Sequence, residues 1–490
     1  MNLIINNFGY EYAKRLYDAI DSSAILNIKK NKKYFFYKGV DYCSAYKRLM
    51  HLEMENSGYL EDLLFDRSHI DCNNSCHTIL LREMFPNLIV SRSNSLRKKY
   101  NLVRLKYYLG RYRGVRYIYN IFFLKLKDNS YSQEDVALIV LHVKFIRFLK
   151  GIYDRLDNCI FVICGDYKEC IKYCTQNKIK YIVFRNDTYS VMLNEDKLHL
   201  SKLILMHINV VNFFSQFDFT VYLLPEGDAA FYEVINLFTK HDNTACICIQ
   251  HGWDSMIWTG NRDMHYKYFL TWGVFWHKYL EKYNSGQEFK VVGAPSHKPV
   301  NSNVKTYKSI LFLLQGESVL INTHRLQGFL DLIENTAREH SNVSIVVREH
   351  PSCSLDEIHK EYLLKMGNVC FKNSKSYTLS EAMEDTLIAV SIYSTVLVES
   401  IDYDVIPIML NTPGITPVIP DFNKFNIGVE VWDNAGALLS ISKILLDSNF
   451  RDNILHNIKM YKKDMFLSNN VEAVNNVVRV VNYCRRTLKD

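Results

Sequence analysis

Leu387-Ile388-Ala389-Val390-Ser391-Ile392-Tyr393-Ser394-Thr395-Val396-Leu397-Val398-Glu399-Ser400 starts as an apolar run and ends as the opening of a helix. A short, wholly apolar strand is the kind that parallel sheets bury on both faces. In an open α/β sheet, ligands bind beyond the carboxyl ends of such strands. Hydroxyls at a helix N-terminus cap its first N–H groups, and those groups, with the positive end of the helix dipole, suit a phosphate. Ordinary capping accounts for one hydroxyl, not for the set Ser391, Ser394 and Thr395. These three are candidate phosphate ligands, and Glu399, one turn into the helix, is a candidate acceptor for a ribose hydroxyl.

Two other strands end in the same way. Ser344-Ile345-Val346-Val347 leads into Arg348-Glu349-His350-Pro351, where proline biases its predecessor away from helix and the chain must turn. Arg348 offers a fork of donors suited to phosphate oxygens, and His350 can donate to a phosphate or assist its departure. The strand Cys246 to Ile249 leads into Gln250-His251-Gly252, where glycine lets a ligand approach the backbone and a histidine can deprotonate a hydroxyl near neutral pH. Further upstream, Leu223-Leu224-Pro225-Glu226-Gly227-Asp228 puts two carboxylates beside a glycine. His251, Glu226 and Asp228 all stay open as the general base. Gln250 and Gly252 are expected to line the cleft. So is Gly9, which follows the apolar Leu3-Ile4-Ile5 and precedes a helical pattern from Tyr10 to Ile20.

Around these junctions the chain alternates strand and helix, the signature of a parallel-sheet α/β architecture. Strands are expected at Cys159 to Cys164, Lys180 to Phe184, Thr220 to Leu224 and Cys246 to Gln250, with helices at Gln133 to Lys150, Leu198 to Gln216 and Ala229 to Thr239. After a strand ending in Gly293-Ala294-Pro295, the polar stretch Ser296 to Lys308 reads as a linker. The alternation then restarts with strands at Ser309 to Leu314, Val343 to Arg348, Val369 to Lys372, Leu387 to Ser391 and Ile406 to Leu410. Helices are expected between them at Thr323 to His340, Leu355 to Met366, Leu379 to Glu384 and Val396 to Tyr403. The expected domains are 1–295 and 308–490, both Rossmann-like and facing one another across a cleft; 490 residues exceed what a single core usually supports.

Composition narrows the class. With 9 Pro, 19 Gly and 48% hydrophobic residues, the chain is expected to be ordered almost throughout. No run of 18 apolar residues and no secretory start occurs, and the 12 cysteines lack the spacing of a disulfide scaffold. A cytoplasmic location is expected. The net charge of +7 is concentrated in 91–127, which holds 11 Lys and Arg and no acid, interleaved with tyrosines. That insertion suits the inner face of a membrane or a phosphate-bearing acceptor. The same residue types serve nucleic-acid binding, but no recognition motif accompanies them. Cys72 to His77 contains metal-ligand types at the wrong spacing for zinc, and no P-loop, H-E-x-x-H or G-x-S-x-G is present.

The Gln250-His251-Gly252, Gly293-Ala294-Pro295, His350-Pro351 and Ser391 to Thr395 motifs together resemble the GT-B nucleotide-sugar transferases of bacterial surface polysaccharide synthesis. Within that group the similarity is to CDP-glycerol glycerophosphotransferases and to CMP-sialic acid and CMP-Kdo transferases, over roughly Val221 to Leu410. The resemblance implies that His350 and Ser394-Thr395 hold the nucleotide and its phosphate. For the base, one branch implies His251, although Gln250 stands where that branch has Trp. The other branch implies the acidic turn, of which only Glu226 and Gly227 match. The expected activity is a metal-independent, cofactor-free transfer of a sugar from a nucleotide donor, CMP-linked by preference. The acceptor would be a glycan or lipid-linked glycan of the capsule, O-antigen or lipopolysaccharide kind. Alternatives are CDP-glycerol or CDP-ribitol phosphotransfer, a nucleotide-sugar epimerase or hydrolase, and a non-catalytic scaffold in polysaccharide assembly.

Overall fold

The computed structural model describes residues 21–22, 24–25, 28–29, 36–37, 40–56, 69–71, 89–91, 134–185, 196–227, 229–241, 244–252, 261–297, 309–315, 321, 323–350, 354–374, 377–392, 394–411 and 420–488. Gly9, Asp228, all of the basic tract 91–127 but Ser91, the Cys72 to His77 group and most of the polar stretch after Pro295 lie outside the described residues.

The elements run β1 (Phe36–Tyr37), β2 (Val40–Asp41), α1 (Cys43–Asn56), β3 (His69–Asp71), β4 (Ile89–Ser91), β5 (Val136–Val140), α2 (Val143–Tyr153), β6 (Cys159–Ile163), α3 (Tyr167–Gln176), β7 (Tyr181–Val183), α4 (Asp196–Phe214), β8 (Val221–Leu224), α5 (Ala230–His241), β9 (Ala245–Ile249), β10 (Tyr268–Thr271), α6 (Val274–Glu281) and β11 (Phe289–Val291). They continue with β12 (Ser309–Leu313), α7 (Thr323–Glu339), β13 (Ser344–Arg348), α8 (Glu357–Leu364), β14 (Val369–Lys372), α9 (Leu379–Glu384), β15 (Thr386–Ser391), α10 (Thr395–Asp402), β16 (Ile406–Leu410), α11 (Phe422–Phe425), β17 (Val429–Val431), α12 (Asn434–Leu446), α13 (Ser448–Met465) and α14 (Asn470–Thr487).

Two large sheets result, in the orders β11-β10-β9-β8-β5-β6-β7 and β14-β13-β12-β15-β16-β17. Pairings β5–β6, β5–β8, β6–β7 and β10–β11 are parallel, as is every pairing of the six-stranded sheet. The chain divides into two compact units, one of 1–17, 150–155 and 248–481, the other of 18–149, 156–247 and 482–490.

In each sheet the strand order reverses once. The chain steps from β12 to β13 to β14, then returns to the other side of β12 as β15; likewise β5, β6 and β7 are followed by β8 on the far side of β5. Neighbouring connections then leave the sheet to opposite faces, which opens a crevice at the carboxyl ends of the two strands involved. The predicted Leu387 to Ser391 strand is therefore one wall of such a crevice. Strands β12, β15 and β16 are buried along their whole length. That burial explains why they read as apolar runs, each fully buried Ile, Leu or Val contributing about 1.5–3 kcal/mol.

One expectation fails. Gln133 to Lys150 is not a single helix; β5 occupies Val136–Val140 and a helix begins only at Val143. Ala-Leu-Ile-Val is as good a buried helix as a buried strand by pattern, and the pairing of β5 with β6 and β8 decides between them. Among the described residues no helix is long and apolar enough to cross a membrane.

Candidate functional site

The carboxyl edge of the six-stranded sheet gathers most of the predicted residues. Ser391 ends β15, is fully buried, and donates its hydroxyl to the Leu313 carbonyl at the end of β12, 3.1 Å away. It thus ties together the two strands of the crossover point. Ser394 is the N-cap of α10: its backbone is extended and its hydroxyl accepts from Val396 N at 3.2 Å. Thr395 opens the helix. Elsewhere in this part of the chain, helices α8, α11, α12 and α13 are capped by Asp356, Asp421, Asp433 and Asp447. A carboxylate cap compensates the positive helix end and repels an anion, whereas a neutral Ser394 leaves that end able to receive one.

The His-Gly turn reaches the same place. A methyl group at Gly252 would meet Thr395 Cγ2 at 3.5 Å, so the backbone after β9 lies against the start of α10. Gln250 holds that turn. Its side-chain oxygen accepts from Trp272 N at 3.0 Å, its amide donates to the Gly252 carbonyl at 3.2 Å, and its own carbonyl accepts from Trp272 Nε1 at 2.9 Å. Gln250 is itself buried, so its side chain is committed to bracing the turn. His251 beside it is partly exposed.

At the end of β13 the three residues diverge. Arg348 is partly exposed and donates Nε to the Tyr377 carbonyl at 3.3 Å. Glu349 turns inward, accepting from Leu355 N and from Lys360 Nζ, each at 3.0 Å, which ties the end of β13 to the start of α8. His350 is exposed. Burial pulls the Arg348 guanidinium below its ordinary range, and the charge of Glu399 works against that. Arg348 and Glu399 therefore act on one another at the mouth of α10.

Glu399 has a second neighbour that the sequence reading did not single out. His297, almost completely buried, places Nδ1 3.1 Å from Asp402 Oδ2 and Nε2 3.7 Å from Glu399 Oε2. Asp402 also accepts from Asn469 Nδ2 at 2.6 Å and lies 3.9 Å from Lys462 Nζ. Burial raises the Glu399 carboxyl above its ordinary range, with Asp402 adding to the rise, while His297 and Arg348 oppose it. Glu399 and Asp402 stand three apart on one helix face, as (i, i+3) residues do, and that spacing was the one sequence signal available.

The edge of the other sheet carries the remaining predicted carboxylate. Glu226, just after β8, lies 3.8 Å from Lys144 Nζ, which follows β5, so the pair spans the second crossover point. The turn is anchored by Arg48, buried, whose Nε donates to the Gly227 carbonyl at 3.2 Å and whose guanidinium pairs with buried Glu233 at 3.8 Å. At the neighbouring strand ends, His142 Nε2 lies 3.5 Å from Asp166 Oδ2. Asp166 adopts a left-handed backbone (φ 39°) ahead of α3 without capping it. His142 and Lys144 were hidden by the misread helix over 133–150, whereas Asp166 follows the expected Cys159 to Cys164 strand and was not singled out.

No protein-family model matches the chain, and no curated protein sequence is similar to it. Among solved structures, a candidate UDP-N-acetylglucosamine 2-epimerase from Listeria monocytogenes superposes with a TM-score of 0.50 at 8% identity, covering 71% of this chain and 96% of that one. S. aureus MnaA solved with UDP has a TM-score of 0.48 at 10% identity, covering 73% and 98%. The lipopolysaccharide outer core galactosyltransferase WaaB, in its apo form, has 0.44 at 10% identity, covering 71% and 99%. The Listeria likeness is one of fold: the chain has the GT-B fold, with two parallel-sheet α/β domains.

Proposed function

We propose that the chain is a glycosyltransferase that moves a sugar from a nucleotide donor, a CMP-sugar by preference, to a surface glycan or lipid-linked glycan. The observation that carries this reading is the meeting of a neutrally capped helix start (Ser394, Thr395) and a close-approaching glycine (Gly252), with Arg348 at the neighbouring strand end, where the charge of Glu399 acts on it. Such a constellation suits a phosphate attached to a ribose. The α10 N–H groups and Arg348 would receive the departing phosphate, Ser394 would fix the helix start, and Glu399 would accept from a ribose hydroxyl. A preorganised set of donors is worth most as the leaving group gains charge, when the glycosidic bond stretches.

The acceptor hydroxyl would attack the anomeric carbon as a general base takes its proton. His251 is preferred over Glu226 for that role because a Cβ at Gly252, next to it, would meet Thr395 at the start of α10. A neutral imidazole also takes up a proton near physiological pH. The protein groups named would neutralise the phosphate without a metal ion, so chelation is expected to leave turnover intact, and loss of activity restored by a divalent ion would refute that. The basic tract 91–127 is proposed to meet the inner membrane face or the acceptor's phosphates.

The test is to incubate the protein with CMP-, CDP- and UDP-linked sugars, with and without a polysaccharide primer, and to weigh the products. Sugar added to the primer with release of the nucleotide supports the reading. Phosphorus entering the glycan would make it a phosphotransferase, and donor consumed without primer an epimerase or hydrolase. No consumption, with no nucleotide bound, would leave a scaffold.

A further inference from the structure

His297 and Asp402 have no place in the sequence motifs, yet both are buried beside Glu399. The His297 side chain is 1% exposed and packs against the rings of Trp272 and Phe466, each with its centroid 5.1 Å from the imidazole. Its Nδ1 is engaged by Asp402, but its Nε2 is buried without a hydrogen-bond partner among the described residues. A buried ring nitrogen without a partner is costly unless it serves an ion pair or a function. The polar group that Nε2 faces is Glu399, at 3.7 Å.

We propose that His297 is a positioning residue for Glu399. Pinned through Nδ1 by Asp402, it holds a proton on Nε2 against the Glu399 carboxylate, so that Glu399 is presented ionised and in one orientation to a hydroxyl donor on a bound nucleotide. This rests on the proposed nucleotide site.

The surrounding charges support the assignment. Facing the imidazole from α10 are Asp402 and Glu399; from α13, Lys462 reaches Asp402; from the end of β13, Arg348 acts on Glu399. Burial alone would push the imidazole below its ordinary range, yet the Asp402 hydrogen bond and the two carboxylates leave it above. Without His297, burial and Asp402 would drive Glu399 toward its neutral form, opposed only by Arg348 among the charges acting on it.

Two substitutions separate the ring nitrogens. His297→Asn keeps a donor near the Nδ1 position and removes Nε2, whereas His297→Gln places an uncharged donor near Nε2. In titration calorimetry with CMP, CDP and UDP from pH 6 to 8.5, wild-type affinity should fall as pH rises and His297 loses its proton. His297→Asn should bind at least ~10-fold more weakly at pH 6, as should Glu399→Gln, and His297→Gln should bind with a flat pH profile. Equal affinity and an unchanged profile in both variants would overturn the proposal.

If no nucleotide binds the wild type, the proposed function fails and melting temperatures still decide the pairing. Glu399→Gln should lower the melting temperature more at pH 6 than at pH 8.5 in the wild type, and equally at both pH values in the His297→Gln background. The same loss in both backgrounds at both pH values would show that His297 does not act on Glu399.

Discussion

Replacing Gln250 by Met, a linear side chain of similar volume, should remove both side-chain hydrogen bonds that brace the His251-Gly252 turn. Trp272 is fully buried, so its N–H, now bonded to Gln250 at 3.0 Å, finds no water in exchange. An orphaned buried donor costs about 1–3 kcal/mol. The Gly252 carbonyl belongs to a partly exposed residue and recovers most of its bond to solvent. The bond from Trp272 Nε1 goes to the Gln250 backbone and survives the substitution. The net loss is therefore about 2 kcal/mol, or about 4–8 °C in melting temperature for a domain of this size. Differential scanning calorimetry measures the loss. Nucleotide binding should weaken with it, because a Cβ at Gly252 would already meet Thr395, which places this turn beside the start of α10. A melting temperature within about 1 °C of wild type would refute the bracing role of the amide.

The two predicted strand-to-helix junctions of the six-stranded sheet, at Arg348 and at Ser391 to Thr395, were legible because buried parallel strands are apolar throughout and their polar ends stand out. The return of β15 to the side of β12 was not legible, since pairing order is not written in local pattern. Val136 to Val140 was misread because a buried strand and a buried helix share a composition, and with it went His142 and Lys144. His297 was invisible for another reason: it lies in a polar stretch read as linker, and its partner Asp402 is 105 residues away. The helices of the last 80 residues drew no expectation, although Asp421, Asp433 and Asp447 now stand as their N-caps.

Gly293 adopts φ +95°, and a Cβ there would fall 2.3 Å from the Ser468 carbonyl oxygen, so Gly293→Ala should destabilise by about 3 kcal/mol or more, read as loss of soluble folded protein. Ser394→Ala should cost about 1 kcal/mol of stability through the lost cap, whereas Ser394→Asp keeps the cap and should melt like the wild type. Burial raises the Glu430 carboxyl to about 7, with Asp421 adding to the rise and the Asn411 hydrogen bond opposing it. The folded state then holds a proton the unfolded chain has released, so stability should fall as pH rises from its unfolded value of about 4.5 to 7, by at most ~3 kcal/mol. Glu430→Gln should remove that slope; an unchanged slope in urea titrations would reject it.

Nucleotide-dependent thermal stabilisation of the wild type and of Ser394→Asp bears most directly on the site. A ligand at a hundred times its dissociation constant stabilises the folded state by about 2.7 kcal/mol. CMP or CDP should raise the wild-type melting temperature and fail to do so for Ser394→Asp, whose added carboxylate would meet the phosphate at the α10 start. Stabilisation of the wild type by no nucleotide, or equal stabilisation of both proteins, would contradict a phosphate site at that helix.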